Sequence, residues 1–245
     1  MKKSIVIFAS TSGIAQAVAE EFLRKKYKII LCARDEDAIK RQVQDLEIKT
    51  DIKIPYIIWD LNDMDEHTKK TDELFEKYSI DGLFMAAGVM PPQKECETQT
   101  EKTIDTFNLN LTAITVILNL FANKFEEQKS GFISCLSSVA GDRGRQSNYI
   151  YGAAKAGLTA YLGGLRNRLH KHGILVQTVK PGFVKTEMTA HLDDSLLMVE
   201  PKTVAKDIVN GIEKKVDILY TPRFWRYIMS VIKVIPEPIF KRLSL

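Results

Sequence analysis

Short apolar runs alternate with longer, helix-length amphipathic stretches along almost the whole chain. Ile5–Phe8, Lys28–Cys32, Ile54–Trp59, Gly82–Met85, Gly131–Cys135, Leu175–Val179 and Asp217–Tyr220 each read as a strand. Several carry no polar alternation, as a parallel sheet covered on both faces requires. Between them, Ile14–Lys25, Asp37–Leu46, Asp65–Tyr78, Thr100–Asn123, Tyr151–His170 and Thr203–Lys214 have helical length and patterning. The alternation predicts a doubly wound α/β fold with a parallel sheet of about seven strands. No repeat, low-complexity tract or Pro/Gly-rich linker interrupts it, so residues 1–220 read as one domain. Residues 221–245 read as a C-terminal amphipathic extension.

Composition narrows the function classes. The apolar fraction of 45% and the charged fraction of 27% are those of an ordinary folded domain. A net charge of +4 is too small and too dispersed for a nucleic-acid binder. Cys32, Cys96 and Cys135 form neither a CxxC pair nor a disulfide framework, and the four histidines lack metal-ligand spacing, so no metal site is expected. The N-terminus runs from Met1-Lys2-Lys3-Ser4 straight into a short β-branched strand, unlike a signal peptide. No apolar run reaches the roughly 18 residues that span a bilayer. The expected location is the cytoplasm, with peripheral contact at the inner membrane surface as an additional reading.

The turn after the first strand, Ala9-Ser10-Thr11-Ser12-Gly13-Ile14-Ala15, has the place of a dinucleotide-binding turn, where small residues let backbone N–H groups approach a pyrophosphate. Only Gly13 is a glycine; Ala9 and Ala15 hold the other two places. The second strand ends in Arg34-Asp35. Arginine there meets the extra phosphate of NADP, whereas an acid takes the ribose hydroxyls of NAD, so Arg34 favours NADP(H) and Asp35 competes. Asp60, before Leu61, reads equally as an adenine contact or as a turn cap. Ala87 and Gly88 form another small-residue turn after the fourth strand.

Ser137-Ser138-Val139-Ala140-Gly141 leaves the fifth strand, and Tyr151-Gly152-Ala153-Ala154-Lys155 follows. Positions four apart share a helix face, so the Lys155 ammonium is expected beside the Tyr151 phenol, lowering its pKa and making it a proton donor near neutrality. The spacing alone carries little weight in a chain with eight tyrosines. The order of elements carries more: serine-bearing strand end, tyrosine–lysine helix, then Lys180-Pro181-Gly182-Phe183-Val184-Lys185-Thr186.

On these residues the chain resembles the short-chain dehydrogenase/reductase superfamily over nearly its whole length. Ser138 stands thirteen residues before Tyr151, and Asn110 lies in Asn108-Leu109-Asn110-Leu111-Thr112 on the fourth helix. The resemblance implies a Rossmann-like catalytic domain in which Tyr151 donates a proton to a carbonyl oxygen and Ser138 bonds that oxygen. Lys155 then binds the nicotinamide ribose and Asn110 links it through water to solvent. It implies cofactor contacts from Ser10, Thr11, Ser12, Gly13, Ile14, Arg34, Asp60, Leu61, Ala87, Gly88, Tyr151, Lys155, Pro181, Gly182, Val184 and Thr186. Two departures stand out: alanines in the first turn, and Ala86 where the family has an asparagine. Assembly as a homodimer or homotetramer through Thr100–Asn123 and Tyr151–His170 follows from the same resemblance.

For substrate, Glu187-Met188-Thr189-Ala190-His191-Leu192 and Asp193-Asp194-Ser195 read as a mobile lid without defining a ligand. Thr221-Pro222 reads as a cap and first-turn proline of a tail helix, with Arg223, Arg226, Ser230 and Lys233 on one stripe and apolar residues over the rest. A membrane interface and docking on protein are equal readings. Ser137–Gly144, Tyr151–Leu158, Pro181–Leu192 and Phe224–Leu243 resemble the decaprenylphosphoryl-2-ketopentose reductases. That implies a lipid-linked keto sugar, a cell-wall polysaccharide precursor and a partner oxidase. A reductase of another carbonyl, such as a 3-oxoacyl thioester or a small ketone, is the alternative. A non-catalytic NADP-binding regulator is the alternative of another class.

Overall fold

The computed structural model describes residues 3–190 and 197–243. Its seven strands are β1 (Ser4–Phe8), β2 (Lys28–Ala33), β3 (Tyr56–Ile58), β4 (Gly82–Met85), β5 (Phe132–Leu136), β6 (Leu175–Pro181) and β7 (Ile218–Thr221). They form one parallel sheet in the order β3-β2-β1-β4-β5-β6-β7. The helices are α1 (Gly13–Arg24), α2 (Glu36–Thr50), α3 (His67–Lys77), α4 (Gln93–Thr98), α5 (Thr100–Phe107), α6 (Ile114–Gln128), α7 (Tyr149–His170), α8 (Pro201–Glu213), α9 (Phe224–Val234) and α10 (Glu237–Phe240).

The strands are apolar throughout because both faces are covered. Successive side chains point to opposite faces. Ile5 and Ile7 therefore pack with Val18, Phe22, Ile39 and Ile208 of α1, α2 and α8. Val6 and Phe8 pack with Leu74, Ile117, Phe121 and Leu162 of α3, α6 and α7 on the other side. The expected strands and helices are all present, with ends shifted. β3 is three residues rather than six, α7 begins at Tyr149, and α4 after Pro91-Pro92 was not foreseen. The stretch Thr100–Asn123 runs on to Gln128 and contains a π-helical segment, Asn108–Ala113. By length and composition Thr100–Gln128 would suffice to cross a membrane. Its Ile114, Ile117, Leu118, Phe121 and Phe125 are instead fully buried against the sheet.

The tail differs from its sequence reading. Thr221 ends β7 and its hydroxyl donates to Asp207 Oδ2 (2.7 Å), so it does not cap a helix. Pro222 follows a cis peptide, and α9 starts only after Arg223. The apolar surface of α9 is divided. Trp225 and Met229 are buried on Val139 beside Phe183, with Ile228 and Ile232 half-buried. Phe224, Tyr227, Val231 and Val234 are exposed, as are Arg223, Arg226, Ser230 and Lys233. Arg143 fastens the far end of α9: it donates to the carbonyls of Ile232 (2.7 Å) and Ile235 (2.6 Å), pairs with Glu237 (2.9 Å) and lies 3.7 Å from the centroid of the Phe240 ring. Of the expected lid, His191 to Ser195 lie outside the described residues.

Candidate active site

Strand order reverses between β1 and β4, and in an open parallel sheet the crevice at the strand C-termini of such a switch point is where ligands bind. α1 opens onto this crevice. Its N-cap, Ser12, makes no side-chain capping bond, and no acid sits in the first turn. The first-turn N–H groups therefore face outward uncapped by side chains, an arrangement suited to an anion. Ala9 turns the chain with φ +52°, the left-handed region where alanine costs roughly 1–2 kcal/mol and glycine nothing. A glycine-type turn is thus built without its glycine. Of the five residues expected in this turn, Ser12, Gly13 and Ile14 line the crevice beside Tyr151, and Thr11 lines its adjoining half. Ser10 is not brought there: it is fully buried, its hydroxyl donates to Gln42 Oε1 (3.0 Å) and its carbonyl accepts from Gln42 Nε2.

Thr11, Arg34, Asp60, Leu61, Ala87 and Gly88 share one half of the crevice. The competition at the end of β2 is resolved by bonding. Asp35 is spent on the first turn of α2, accepting from Ala38 N (2.8 Å), while Arg34 is exposed and has no ion pair among the described residues. Asp60 takes the turn reading. Its carboxylate accepts from Asn62 N (2.9 Å) in a local turn, and the residue still lines the crevice. Trp59 beneath is held by buried His67, whose Nδ1 accepts from the indole (3.2 Å) and whose Nε2 donates to Leu61 O (3.1 Å). Burial lowers the pKa of this imidazole, which suits the neutral tautomer those two bonds require.

At the other half, close backbone approach brings Ser138, Tyr151 and Lys155 to one crevice. A Cβ on Gly141 would lie 2.7 Å from the Lys155 backbone, and one on Gly152 would lie 3.0 Å from Ala140 O. These two glycines let the turn after β5 press directly on α7, bringing Ser138 to Tyr151. Ser137 locks the contact through Lys155 O (3.1 Å) and Thr159 Oγ1 (2.6 Å). Ser138 Oγ accepts from Ala140 N (3.0 Å), and Ser138 lines the crevice together with Tyr151. Lys155 is 2% exposed, and its Nζ donates to Leu136 O (3.0 Å) and Ala87 O (3.5 Å), 5.8 Å from the centroid of the Tyr151 ring. Asn110, in the π-helical segment, spends its amide on Val89, accepting from N (2.9 Å) and donating to O (2.8 Å). A Cβ on Gly88 would stand 2.8 Å from Asn110 Oδ1 and 3.2 Å from Lys155 Nζ, so this glycine keeps the gap between them open. Pro181, Gly182, Val184 and Thr186 line the same space.

The expected electrostatics need correction. Burial pushes the Tyr151 phenol up to about 12, opposed only by neighbouring Ser138, and lowers Lys155 to about 8. Lys155 was expected to pull the phenol down. The ammonium points at two backbone carbonyls rather than at the phenol oxygen, and desolvation of the phenolate dominates. Arg145 and Asn148, which the sequence reading missed, complete the cavity beyond Tyr151 together with Met188 and Thr189 of the expected lid. Arg145 and Asn148 lie in the loop before α7 with no motif to mark them. Trp225 was read only as part of the tail, yet a Cβ on Gly182 would fall 1.8 Å from its Nε1. Gly182→Ala is therefore expected to displace α9 and cost about 1–3 kcal/mol in thermal unfolding, together with most of the activity.

The short chain dehydrogenase family model matches residues 3–196. The chain belongs to that family. It is 28% identical over 247 residues to an uncharacterized oxidoreductase of Streptomyces coelicolor, covering 98% of this chain and 96% of the other. It is 27% identical over 217 residues to carbonyl reductase family member 4 of Xenopus laevis, covering 85% and 90%. Among solved structures it superposes on a short-chain dehydrogenase from Sphingobium yanoikuyae in complex with NADPH, with a TM-score of 0.82, 23% identity and 96% and 97% of the two chains covered. It also superposes on ElxO with NADP bound, with a TM-score of 0.83, 21% identity and coverage of 93% and 100%.

Proposed function

We propose that this short-chain dehydrogenase is an NADPH-dependent carbonyl reductase in which Tyr151 protonates the substrate oxygen. The observation that carries the reading is the Tyr151 phenol lining one crevice with Ser138, with the Lys155 side chain buried at the same crevice. The chain's own groups suit the cofactor. The uncapped start of α1 suits a pyrophosphate, and Arg34, exposed and without an ion pair among the described residues, suits the additional phosphate of NADP. NADPH is bound in the Sphingobium structure and NADP in the ElxO structure. Held in this crevice, NADPH would supply the hydride for the carbonyl carbon. Ser138 holds the carbonyl oxygen, and Tyr151 gives it the phenol proton as negative charge gathers. Lys155 stabilises the phenolate that remains and binds the ribose hydroxyls. Asn110 fixes Val89 beside Lys155 and sits where the π-helical segment interrupts regular bonding, a feature frequent at functional sites; the proton returns to Tyr151 from solvent past this point.

Arg34→Glu is expected to raise KM for NADPH by about 10–100-fold, the worth of one or two hydrogen bonds to a charged group, and to leave KM for NADH within a few-fold. Equal effects on both cofactors would remove the NADP assignment.

The preferred substrate is a keto sugar carried on a lipid phosphate. Polar Arg145 and Asn148 face apolar Met90, Phe183 and Met188 across the cavity, a mixture that suits a sugar with an attached chain. Exposed Tyr227, Val231 and Val234 beside Arg223, Arg226 and Lys233 suit an anionic lipid surface. Turnover of keto sugars with and without a polyprenyl phosphate tests the substrate. For the surface, Tyr227→Ser/Val231→Ser/Val234→Ser is expected to abolish sedimentation with anionic vesicles while solution turnover is unchanged. Truncation at Tyr220 would not test this, because it strips Trp225 from Gly182. Unchanged sedimentation of the triple variant would remove the membrane reading.

A further inference from the structure

We infer that Arg145 selects the substrate, and that the substrate carries an oxyanion, carboxylate or phosphate, within reach of its reacting carbonyl. The inference rests on the reductase reading, since it places a recognition group in the cavity where Tyr151 acts. Among the described residues of that cavity wall, Ser138 and Tyr151 mark the reacting end, Arg145 is a cation, and no carboxylate is present. A guanidinium is charged at every accessible pH. Here it is largely desolvated, which lowers its pKa, and it has no carboxylate at ion-pair distance among the described residues. Asp142, the acid that attracts it, is already committed: it is ion-paired to buried Lys180 and accepts from Tyr220 Oη (2.7 Å). Nη2 of Arg145 donates to the thioether of Met229 (3.2 Å), a weak acceptor, and Nε is buried with no partner among the described residues.

Buried donors in folded proteins are almost always satisfied, and a charged one left bare beside a catalytic group points to a ligand that completes it. The cofactor does not claim this position. Its cation, Arg34, lies at the opposite half of the crevice, with Gly88 and Ala87 between. Asn148 adds a second requirement. Its Oδ1, on the same wall, is also buried without a partner among the described residues, so it accepts from a donor such as a hydroxyl on the same substrate. Met229 of α9 presets the guanidinium from behind. An oxyanion flanked by a hydroxyl satisfies Nε, the remaining guanidinium N–H groups and Asn148 together.

The test is steady-state NADPH oxidation on two matched pairs: pyruvate against acetone, and dihydroxyacetone phosphate against dihydroxyacetone. In the wild-type protein the charged member of at least one pair is expected to have a kcat/KM at least 10-fold above its neutral partner; which pair shows it separates carboxylate from phosphate. Arg145→Met is expected to erase that preference through KM, with kcat on the neutral ketones held within 3-fold, and Arg145→Lys to restore part of it. Thermal unfolding of both variants within a few degrees of wild type would show that the fold is intact. Calorimetric titration of the NADP-loaded wild-type protein with dihydroxyacetone phosphate and pyruvate provides a readout without turnover: at least one of them binds, and Arg145→Met weakens it at least 10-fold. Reduction of neutral ketones in preference to charged ones, or an equal loss on both members in Arg145→Met, would overturn the inference and leave the reductase reading standing. Oxyanion binding through Arg145 with no ketone reduced would do the reverse. No binding of either oxyanion overturns the inference outright.

Discussion

Tyr151→Phe is expected to lower kcat for ketone reduction by about 10³-fold, the scale of a lost positioned proton donor and equivalent to about 4 kcal/mol in the barrier. The substitution removes one oxygen and leaves the ring. Ser138 keeps its bond from Ala140 N, and α7 keeps Gly152 against Ala140 O, so the site's framework does not depend on the phenol. NADPH affinity, followed by fluorescence, is expected to stay within 3-fold, and the melting temperature within a few degrees. A variant retaining more than a tenth of wild-type turnover would show that the proton comes from elsewhere.

Lys155→Met is expected to lower kcat by about 10²-fold, as for the loss of one group that stabilises developing negative charge, and to change the pH profile as well. The sign follows from the two environments. Burial raises Tyr151 to about 12, so the phenol keeps its proton at every working pH. Burial lowers Lys155 to about 8, so its ammonium is complete below that pH and lost above it. Reduction by the wild-type protein is therefore flat on the acid side of neutrality and declines as pH rises through about 8. Methionine fills the same space without titrating, so the variant is slow and flat across this range. A decline above pH 8 that persists in the variant would assign it to another group. The same environment favours the reductive direction, because oxidation must begin from a phenolate that the buried site disfavours.

The groups on which these predictions act were unequally legible. The Tyr151–Lys155 neighbourhood is a matter of helical repeat, and the Ser138 spacing is a matter of chain order, so both could be read locally. The effect of one on the other could not. It depends on which way the ammonium points and on how much water the folded site excludes, and the packing of β5, α7 and Gly88 sets both. Ser10 and Thr11 are adjacent and chemically alike, yet one is buried against Gln42 and the other lines the crevice. Their difference lies in a backbone turn made at Ala9. Arg145 and Asn148 had no signal because a lone arginine or asparagine in a loop reads as surface until a cavity is seen around it.

From the sequence alone came the order of strands and helices, the two-sided burial of the strands, and the Ser138, Tyr151 and Lys155 set with its place at strand and helix ends. Hydrophobic periodicity and short spacings encode these, and neither requires knowing what lies across the fold. The tertiary structure alone decided that Asp35 is consumed while Arg34 has no ion pair among the described residues, that the phenol is held up rather than down, and that α9 is divided between a docked and an exposed face. It also brought Trp225 over Gly182 and Arg145 into the cavity. Each of these turns on desolvation or on contact between segments distant in the chain, and both come into being only when the chain folds.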